Sequence, residues 1–386
     1  MPYASAPFDF DAVDLAAVRR RHHTKWEGAG DGVLALSVAE TDFAPAPPVA
    51  AALGRALADG DLGYAPPGAL GLPAAFAAFA GRHWGWHPDP AAAVPVPEVM
   101  VGVVEALRVL TAPGDGVVVE TPAYGPYFRV LRETGRTLVP VPLLRTEDGW
   151  RRDTEGLRRA FAGGARAMLL CNPHNPTGFL ADRAALTAVA GLAAEHGVAV
   201  LADEIWAPLV LDGAPGFVPY ATLPQGDGAR TVVLTSASKA YNVPGLKCAL
   251  LLPVTEAAAA ALRGLPELVS HRISLLGVLA GEAAFAEGDA WLAGLRAYLG
   301  EGRDLLTRSL AEHAPAIGYT PQAATYLAWL DLRGLPGGAP TAAEVERRTG
   351  VRLSDGEEYG APGWARLNFG TSTAVLEEAV RRLHAL

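Results

Sequence analysis

Lysine is scarce in this sequence of 386 residues, where Lys25, Lys239 and Lys247 are the only lysines among 32 basic residues. Arginine supplies the rest of the positive charge, so few amines are available for covalent chemistry. The sequence also lacks a long run of lysine and arginine, and its formal net charge is −9. A nucleic-acid partner requires a basic face that neutralises phosphates, so we expect no such partner.

Long apolar runs and cysteines are rare as well. No apolar run approaches the roughly 18–20 residues that a membrane-spanning helix needs, so no membrane partner is expected. The first residues, MPYASAPFDFDAVDL, lack the basic-then-apolar layout of a signal peptide. The two cysteines, Cys171 and Cys248, lie in apolar, strand-like runs. This favours buried free thiols over a disulfide and predicts a cytoplasmic protein.

Seven short apolar runs alternate with helical patterns through the middle of the chain. Each run is rich in Val or Leu and apolar on both faces, as expected for strands buried between two layers of helices. The alternation predicts an α/β fold with a mostly parallel, seven-stranded sheet. The runs are 98–104 (EVMVGVV), 116–120, 137–143, 166–173, 198–204, 231–239 and 247–253.

The two ends of the chain differ from this middle part. They contain longer helices rich in Ala, Leu and Arg, then the segment TYLAWLDL and a Gly/Pro-rich stretch. We therefore predict a large domain over 45–280 and a smaller α+β domain that both termini form, from 1–44 and 281–386.

Polar side chains follow three of the predicted strands, as CNPHNPTG, ADEIW and TSASK. Ligands of α/β sheets collect at the carboxyl ends of the strands, so these residues should meet at one crevice. Lys239 follows a buried strand and two serines, and unlike arginine its amine can lose a proton and form a Schiff base. A surface lysine is the plain alternative. Asp203 would then serve as the carboxylate partner of a pyridinium nitrogen, which points to pyridoxal 5′-phosphate (PLP).

The phosphate of that cofactor needs hydroxyl and N–H donors. Ser236 and Ser238 offer hydroxyls, and a turn at Gly102, Val103 and Val104 would offer backbone N–H groups at a helix N-terminus. Ordinary turn capping is an equally good reading of each serine taken singly. Lys247 suits either a phosphate clamp or a lysine at a strand end.

Taken together, these motifs resemble a known family. Asn-Pro-Thr-Gly, then Asp-Glu-Ile, then Ser-Ala-Ser-Lys with a basic residue eight positions further on resembles fold-type I PLP enzymes, the aspartate aminotransferase superfamily. CNPHNPTG, YNVPGLKC, TYLAWLDL and ARLNFG look like its cystathionine β-lyase-like (C–S lyase) branch. The resemblance runs from about residue 20 to the C-terminus. It implies PLP as cofactor, an amino-acid substrate and a homodimer with shared active sites.

The resemblance implies a catalytic group around the cofactor ring. Lys239 would form the covalent bond to PLP, Asp203 would pair with the ring nitrogen, and Tyr124 would stack on the ring. Asn175 would contact the ring hydroxyl. Trp206 stands where the superfamily often has tyrosine or histidine beside the ring oxygen, and an indole only donates a hydrogen bond.

The same resemblance assigns the phosphate and the substrate. Ser236 and Lys247 match phosphate ligands, and Tyr64 matches a tyrosine that reaches the phosphate of the neighbouring subunit. Arg366 matches the arginine that binds the substrate α-carboxylate through two parallel bonds. Asn175 and Ala39 complete the predicted substrate side. Ala39 lies in SVAETDF, which departs from the aromatic-V-A-D-M-D-F string that is usual in the branch.

No metal site is predicted, because neither His23 nor His174 has a partner at metal-binding spacing. The leading hypothesis is β-elimination from cystathionine or another L-cysteine S-conjugate. An aminotransferase on the same scaffold is the nearest alternative. Processing of a cysteine conjugate in a natural-product pathway, including decarboxylation, stays open, as does a regulatory binding protein that keeps the fold.

Overall fold

The structure is a computed structural model, which describes residues 8–147, 149–226 and 228–386. The helices in these ranges are α1 (Leu15–Arg19), α2 (Pro47–Asp59), α3 (Leu72–Trp84), α4 (Val99–Leu110), α5 (Gly125–Glu133), α6 (Thr154–Ala162), α7 (Arg183–His196), α8 (Glu256–Leu262), α9 (Glu267–Ser270), α10 (Leu275–Glu287), α11 (Asp289–His313), α12 (Ala342–Thr349) and α13 (Thr373–Leu383). The strands are β1 (Leu34–Ala35), β2 (Val94–Val96), β3 (Gly116–Thr121), β4 (Thr137–Pro142), β5 (Leu144–Thr146), β6 (Gly149–Arg151), β7 (Ala167–Cys171), β8 (Ala199–Asp203), β9 (Thr231–Thr235), β10 (Ala249–Pro253), β11 (Gly318–Tyr319), β12 (Leu327–Asp331), β13 (Val351–Arg352), β14 (Ser354–Asp355) and β15 (Trp364–Asn368).

A seven-stranded sheet forms the centre of the molecule, with strand order β2-β10-β9-β8-β7-β3-β4. Five neighbouring strands run parallel to one another, namely β9, β8, β7, β3 and β4. Strand β10 is antiparallel to both of its neighbours, β2 and β9. Every residue of β7, β8 and β9 is buried. The predicted α/β fold with a mostly parallel, seven-stranded sheet is therefore confirmed, and its apolar runs reflect burial on both faces.

One of the seven predicted strands is wrong. The run 98–104 is not a strand but the start of helix α4, and the strand that occupies this place in the sheet is the shorter β2 just before it. Helix α4 is apolar on most of its surface because it is buried, with Val99, Val103 and Leu107 all in the core. A short apolar run has no period that distinguishes a buried helix from a buried strand.

Helix α7 follows β7 in the chain, and its ends follow ordinary capping chemistry. The Asp182 carboxylate accepts the N–H of Ala185 at the N-terminus. Gly197 ends the helix with φ of +65°, a left-handed conformation that glycine adopts without a steric penalty.

A second, antiparallel sheet of order β11-β12-β15-β14 comes from the C-terminal part of the chain. Strand β1 pairs in parallel with β13, Leu34 opposite Val351, so the N-terminal part joins the C-terminal part. This pairing favours the predicted small domain from both termini, and the division at 45 and 280 stays a prediction. Residue 280 falls inside α10, so a boundary there would cross a continuous helix.

Both cysteines are free thiols, as predicted, with Cys171 buried and Cys248 partly buried. In the described ranges, no helix has the length and apolar character needed to cross a membrane.

Candidate active site

The predicted crevice exists as a cavity of about 660 Å³ at the carboxyl ends of the parallel strands. Because β10 runs against its neighbours, its amino end lies at this same edge and carries Lys247 there. The cavity brings together ten residues that the sequence singled out, namely Ala39, Tyr124, Asn175, Asp203, Trp206, Ser236, Ser238, Lys239, Lys247 and Arg366.

The amine of Lys239 is partly buried and loses its proton more easily than an ordinary lysine. Its Nζ donates to the carbonyl oxygen of Ala39 at 3.1 Å. Burial, followed by the charge of Arg366, lowers the pKa of Lys239 to about 8. A neutral amine is both a nucleophile and a base, so Lys239 suits the role that the sequence predicted.

A hydrogen bond from a buried tyrosine positions Asp203 at the end of β8. Tyr127 donates its hydroxyl to Oδ2 of Asp203 at 2.6 Å, and the N–H of Ile205 donates to Oδ1 at 3.2 Å. Burial raises the pKa of the Asp203 carboxyl, and these two hydrogen bonds oppose the rise. Asp203 forms no ion pair with any residue in the described ranges. A buried carboxylate without a cation is costly, so it calls for a cationic ligand group.

Arg366 reaches the cavity from the smaller sheet. It lies on β15 opposite Trp329 and Ser354, and it is buried. Its Nη1 donates to Oδ1 of Asn175 at 3.1 Å, its Nη2 donates to the carbonyl of Ser37 at 2.8 Å, and its Nε has no protein partner. An arginine with an unused buried donor can bind a carboxylate.

The N-terminus of α4 lies in the cavity wall, but the three residues predicted as a phosphate-binding turn do not. Gly102, Val103 and Val104 lie inside the helix, and the N–H of Gly102 already bonds the carbonyl of Glu98. Added bulk at Gly102 would meet core side chains instead of the cavity. The prediction of a turn is therefore wrong, and the free donors are those of the first helical turn.

Those first-turn donors belong to Val99, Met100 and the following residue, since the first N–H groups of a helix have no partner inside it. Val99 and Met100 line the cavity, and the N-cap residue Glu98 makes no side-chain cap. Glu98 instead binds Lys247, with Nζ and Oε2 2.7 Å apart. Ser236, whose hydroxyl donates to the Cys248 carbonyl at 2.7 Å, completes this end of the cavity.

Aromatic side chains form the remaining walls. Tyr124 precedes α5, and its ring lies edge-on to Tyr127 with centroids 5.7 Å apart. Trp206 is buried and packs edge-on against Tyr326, with centroids 5.0 Å apart. Tyr326 was not predicted, although it is the second residue of TYLAWLDL. Its hydroxyl donates to the carbonyl of Ala39, the oxygen that also accepts from Lys239.

Tyr64, like Gly102, Val103 and Val104, is a predicted site residue that does not line the cavity of its own chain. Its side chain is 98% exposed, in the loop between α2 and α3. In the described ranges there is no cluster of three or more His, Cys, Asp and Glu side chains that could hold a metal ion.

The residues present fit PLP, the cofactor of the family that the motifs resemble. The unpaired Asp203 carboxylate suits a protonated ring nitrogen, and the α4 N-terminus with Ser236 and Lys247 suits a phosphate. Lys239 and Tyr124 lie in the same cavity, where the first can bind the aldehyde carbon and the second can cover a ring. The fold and the site therefore define a PLP-dependent enzyme of fold type I.

Comparison with known proteins gives the family. The sequence model of "Aminotransferase class I and II" matches residues 31–383, so the chain belongs to this family. It is 33% identical over 371 residues to a cystathionine beta-lyase of Corynebacterium glutamicum, covering 96% of this chain and 98% of that protein. It is 31% identical over 374 residues to the cystathionine beta-lyase PatB of Bacillus subtilis (strain 168), covering 94% and 95%.

A solved structure supports the same family assignment. A Corynebacterium diphtheriae protein, assigned provisionally as a PLP-dependent beta-cystathionase, superposes with a TM-score of 0.91 at 34% identity, covering 98% of both chains. The family also contains transaminases, such as the arginine–pyruvate transaminase AruH of Pseudomonas aeruginosa, 32% identical and covering 92% of this chain and 90% of that protein.

Proposed function

We propose that this protein is a PLP-dependent C–S lyase that cleaves L-cysteine S-conjugates, including cystathionine, to a thiol, pyruvate and ammonia. The observation that carries the proposal is the single cavity that holds Lys239, Asp203 and Arg366 in a chain that resembles cystathionine β-lyases over nearly its whole length.

Each of these three side chains has one task. Arg366 holds the α-carboxylate of the substrate through its guanidinium donors. Lys239, with its pKa lowered to about 8, is a base. Its Nζ accepts the proton from Cα of the substrate and can later donate that proton to another atom. Asp203, ionised and hydrogen-bonded by Tyr127, holds the positive charge of the cofactor ring. PLP supplies the electron sink that makes the Cα proton acidic.

The products follow from what leaves the β-carbon. A thiolate is a good leaving group because thiols have a pKa near 8.5. The C–S bond breaks with both electrons on sulfur, and one water per substrate releases the remaining three carbons as pyruvate and the nitrogen as ammonia. No oxidant or amino acceptor is needed. Transamination differs only in returning the proton without loss of the β-substituent.

Product analysis tests this proposal. Purified holoenzyme would receive L-cystathionine and a panel of cysteine S-conjugates, with and without a keto-acid acceptor, and products would be identified by mass spectrometry. We expect free thiol, pyruvate and ammonia in equal amounts without any acceptor, and none from Lys239→Ala. A keto acid that forms only when an acceptor is present would reject the lyase and make the protein an aminotransferase.

The proposal includes a homodimer with shared sites and a cytoplasmic location. Tyr64 supports the first part, because a fully exposed aromatic ring on a stretch of chain with exposed leucines is unusual on a free surface. In the dimer, Tyr64 would contact the phosphate in the partner's cavity. Two free thiols support the second part.

A further inference from the structure

The outer wall of the cavity carries charged side chains that the reaction above does not use. Helix α5 contributes Arg129 and Arg132, and the turn before β15 contributes Glu358. All three are exposed, and they lie in the lining of the same cavity as Lys239 and Arg366. The cavity therefore continues from the reacting centre to a charged mouth between α5 and the smaller sheet.

None of these three side chains is engaged elsewhere. Across 8–147, 149–226 and 228–386, Arg129, Arg132 and Glu358 form no ion pair and no side-chain hydrogen bond. By contrast, Glu98 and Lys247 in the cavity wall pair with each other. Two guanidinium groups and one carboxylate thus remain available to a ligand.

A simple amino-acid substrate has no group that would pair with the charges of Arg129, Arg132 and Glu358. Arg366 suits the α-carboxylate at the reacting end, Asp203 suits the cofactor ring and Lys247 suits its phosphate. A cavity of about 660 Å³ lies within the usual range of small-molecule sites, about 300–1,000 Å³, and its lining extends from Lys239 and Arg366 to Arg129, Arg132 and Glu358. A substrate that extends to the mouth would meet two cations and one anion there.

We propose that Arg129, Arg132 and Glu358 form an outer subsite that binds a second α-amino-acid group at the far end of the substrate. The two guanidinium groups bind its carboxylate, and Glu358 binds its ammonium group. This inference rests on the proposed function and narrows its substrate class to thioethers that carry an amino acid on both sides of sulfur, as L-cystathionine does. Guanidinium suits this task because its planar donors match a carboxylate.

Three substrates separate the contributions to this subsite. L-cystathionine carries both distal charges, S-carboxypropyl-L-cysteine carries the distal carboxylate alone, and S-butyl-L-cysteine carries neither. The variants are the double substitution Arg129→Ala with Arg132→Ala, the single substitution Glu358→Gln, and the control Arg183→Ala. Arg183 is an exposed arginine at the start of α7, outside the cavity and without an ion pair in the described ranges.

The double variant should lower kcat/KM about tenfold for the two substrates with a distal carboxylate, which corresponds to about 1.4 kcal/mol. Its kcat/KM for S-butyl-L-cysteine should stay within about twofold of wild type, as should every value of Arg183→Ala. Glu358→Gln should lower kcat/KM for L-cystathionine alone. Equal losses on all three substrates, or no loss on any, would overturn the subsite.

Failure of the proposed function would look different. If the wild type releases no thiol from any of the three compounds, the lyase is rejected, and the subsite is then judged by binding. Dissociation constants of L-cystathionine and S-butyl-L-cysteine would be measured by calorimetry on cofactor-loaded Lys239→Ala protein, with and without the double substitution. The ratio of the two constants should change about tenfold. An unchanged ratio would overturn the subsite independently of the reaction.

Discussion

At the scale of single residues, the site depends on how burial and hydrogen bonding oppose each other. Burial favours the neutral form of Asp203, whereas the hydroxyl of Tyr127 favours its ionised form. Burial likewise favours the neutral form of Lys239. The base Lys239 must therefore be able to become neutral, whereas the counter-ion Asp203 must stay ionised in the same cavity. The hydrogen bond from Tyr127 favours the ionised form of Asp203. Tyr127 was not predicted, because the resemblance assigns a role in residues 121–128 (TPAYGPYF) to Tyr124 alone.

Substitution Tyr127→Phe tests this role. In the wild type, the hydrogen bond from Tyr127 lowers the pKa of Asp203. The variant lacks this bond, so the pKa of Asp203 should rise and the acid limb of the kcat/KM profile should move to higher pH. Loss of a hydrogen bond to a charged group costs about 1.5–3 kcal/mol, so activity below the new limb should fall about tenfold or more. Tyr220→Phe is the matched control, because the buried Tyr220 hydroxyl has no partner in the described ranges. Coincident acid limbs in the two variants would contradict the role of Tyr127.

The lowered pKa of Lys239 gives a second prediction at this scale. With a pKa of about 8, roughly one amine in eleven is neutral at pH 7, against about one in 2,500 for an ordinary lysine. In cofactor-free protein, acylation of Lys239 in a short pulse should therefore rise as the pH passes through about 8. With three lysines in the chain, mass spectrometry separates the sites, and Lys25, fully buried against Asp42, serves as the unreactive control. Acylation that rises only near pH 10 would contradict a lowered pKa.

At the scale of elements, the cavity combines strand ends with one helix N-terminus. Parallel strands bring their carboxyl ends to one edge, and the reversed β10 brings its amino end there as well. These strands were predictable because each is an apolar run with a polar residue at its end. Helix α4 was not, because burial removes the polar face from which a helical period is read. Its misreading moved the predicted phosphate donors one helical turn too far along the chain.

The corrected donors can be tested with Val99→Pro. Proline is tolerated at the first position of a helix, and the extended conformation of Glu98 suits a following proline. The substitution removes one first-turn N–H, so the dissociation constant for PLP should rise about tenfold with little change in Tm, since one hydrogen bond to a charged group is lost. Thr154→Pro makes the same change at the first position of α6, outside the cavity, and should leave the constant unchanged. An unchanged constant in both variants would mean that the phosphate does not use this N–H.

At the scale of the whole molecule, the cavity is closed by contacts between distant parts of the chain. The Asn368 amide on β15 donates to the carbonyls of Val38 and Glu40, and the Asn242 side chain bonds both the N–H and the carbonyl of Thr41. These bonds fix the segment that carries Ala39 against the loop after Lys239. Local periodicity contains no information on contacts between residues that lie 200 or more positions apart. The placement of Ala39 and Arg366 therefore followed from the resemblance to a family, and the contacts of Asn242 and Asn368 were not predicted.

The surface around Tyr64 makes a last prediction, which concerns assembly. Leu57, Leu62 and Leu70 are exposed on the same stretch of chain as Tyr64, so a charge placed among them should oppose pairing of two chains. We expect wild type to sediment as a dimer and Leu62→Glu to shift it towards a monomer. The monomer should also bind PLP less tightly, because it lacks the partner's Tyr64. Leu138→Glu places the same charge on an exposed leucine of the edge strand β4 and should stay dimeric. If Leu62→Glu remains a dimer with unchanged PLP affinity, this surface is not the interface. A fully active wild-type monomer would remove the role of Tyr64 across subunits.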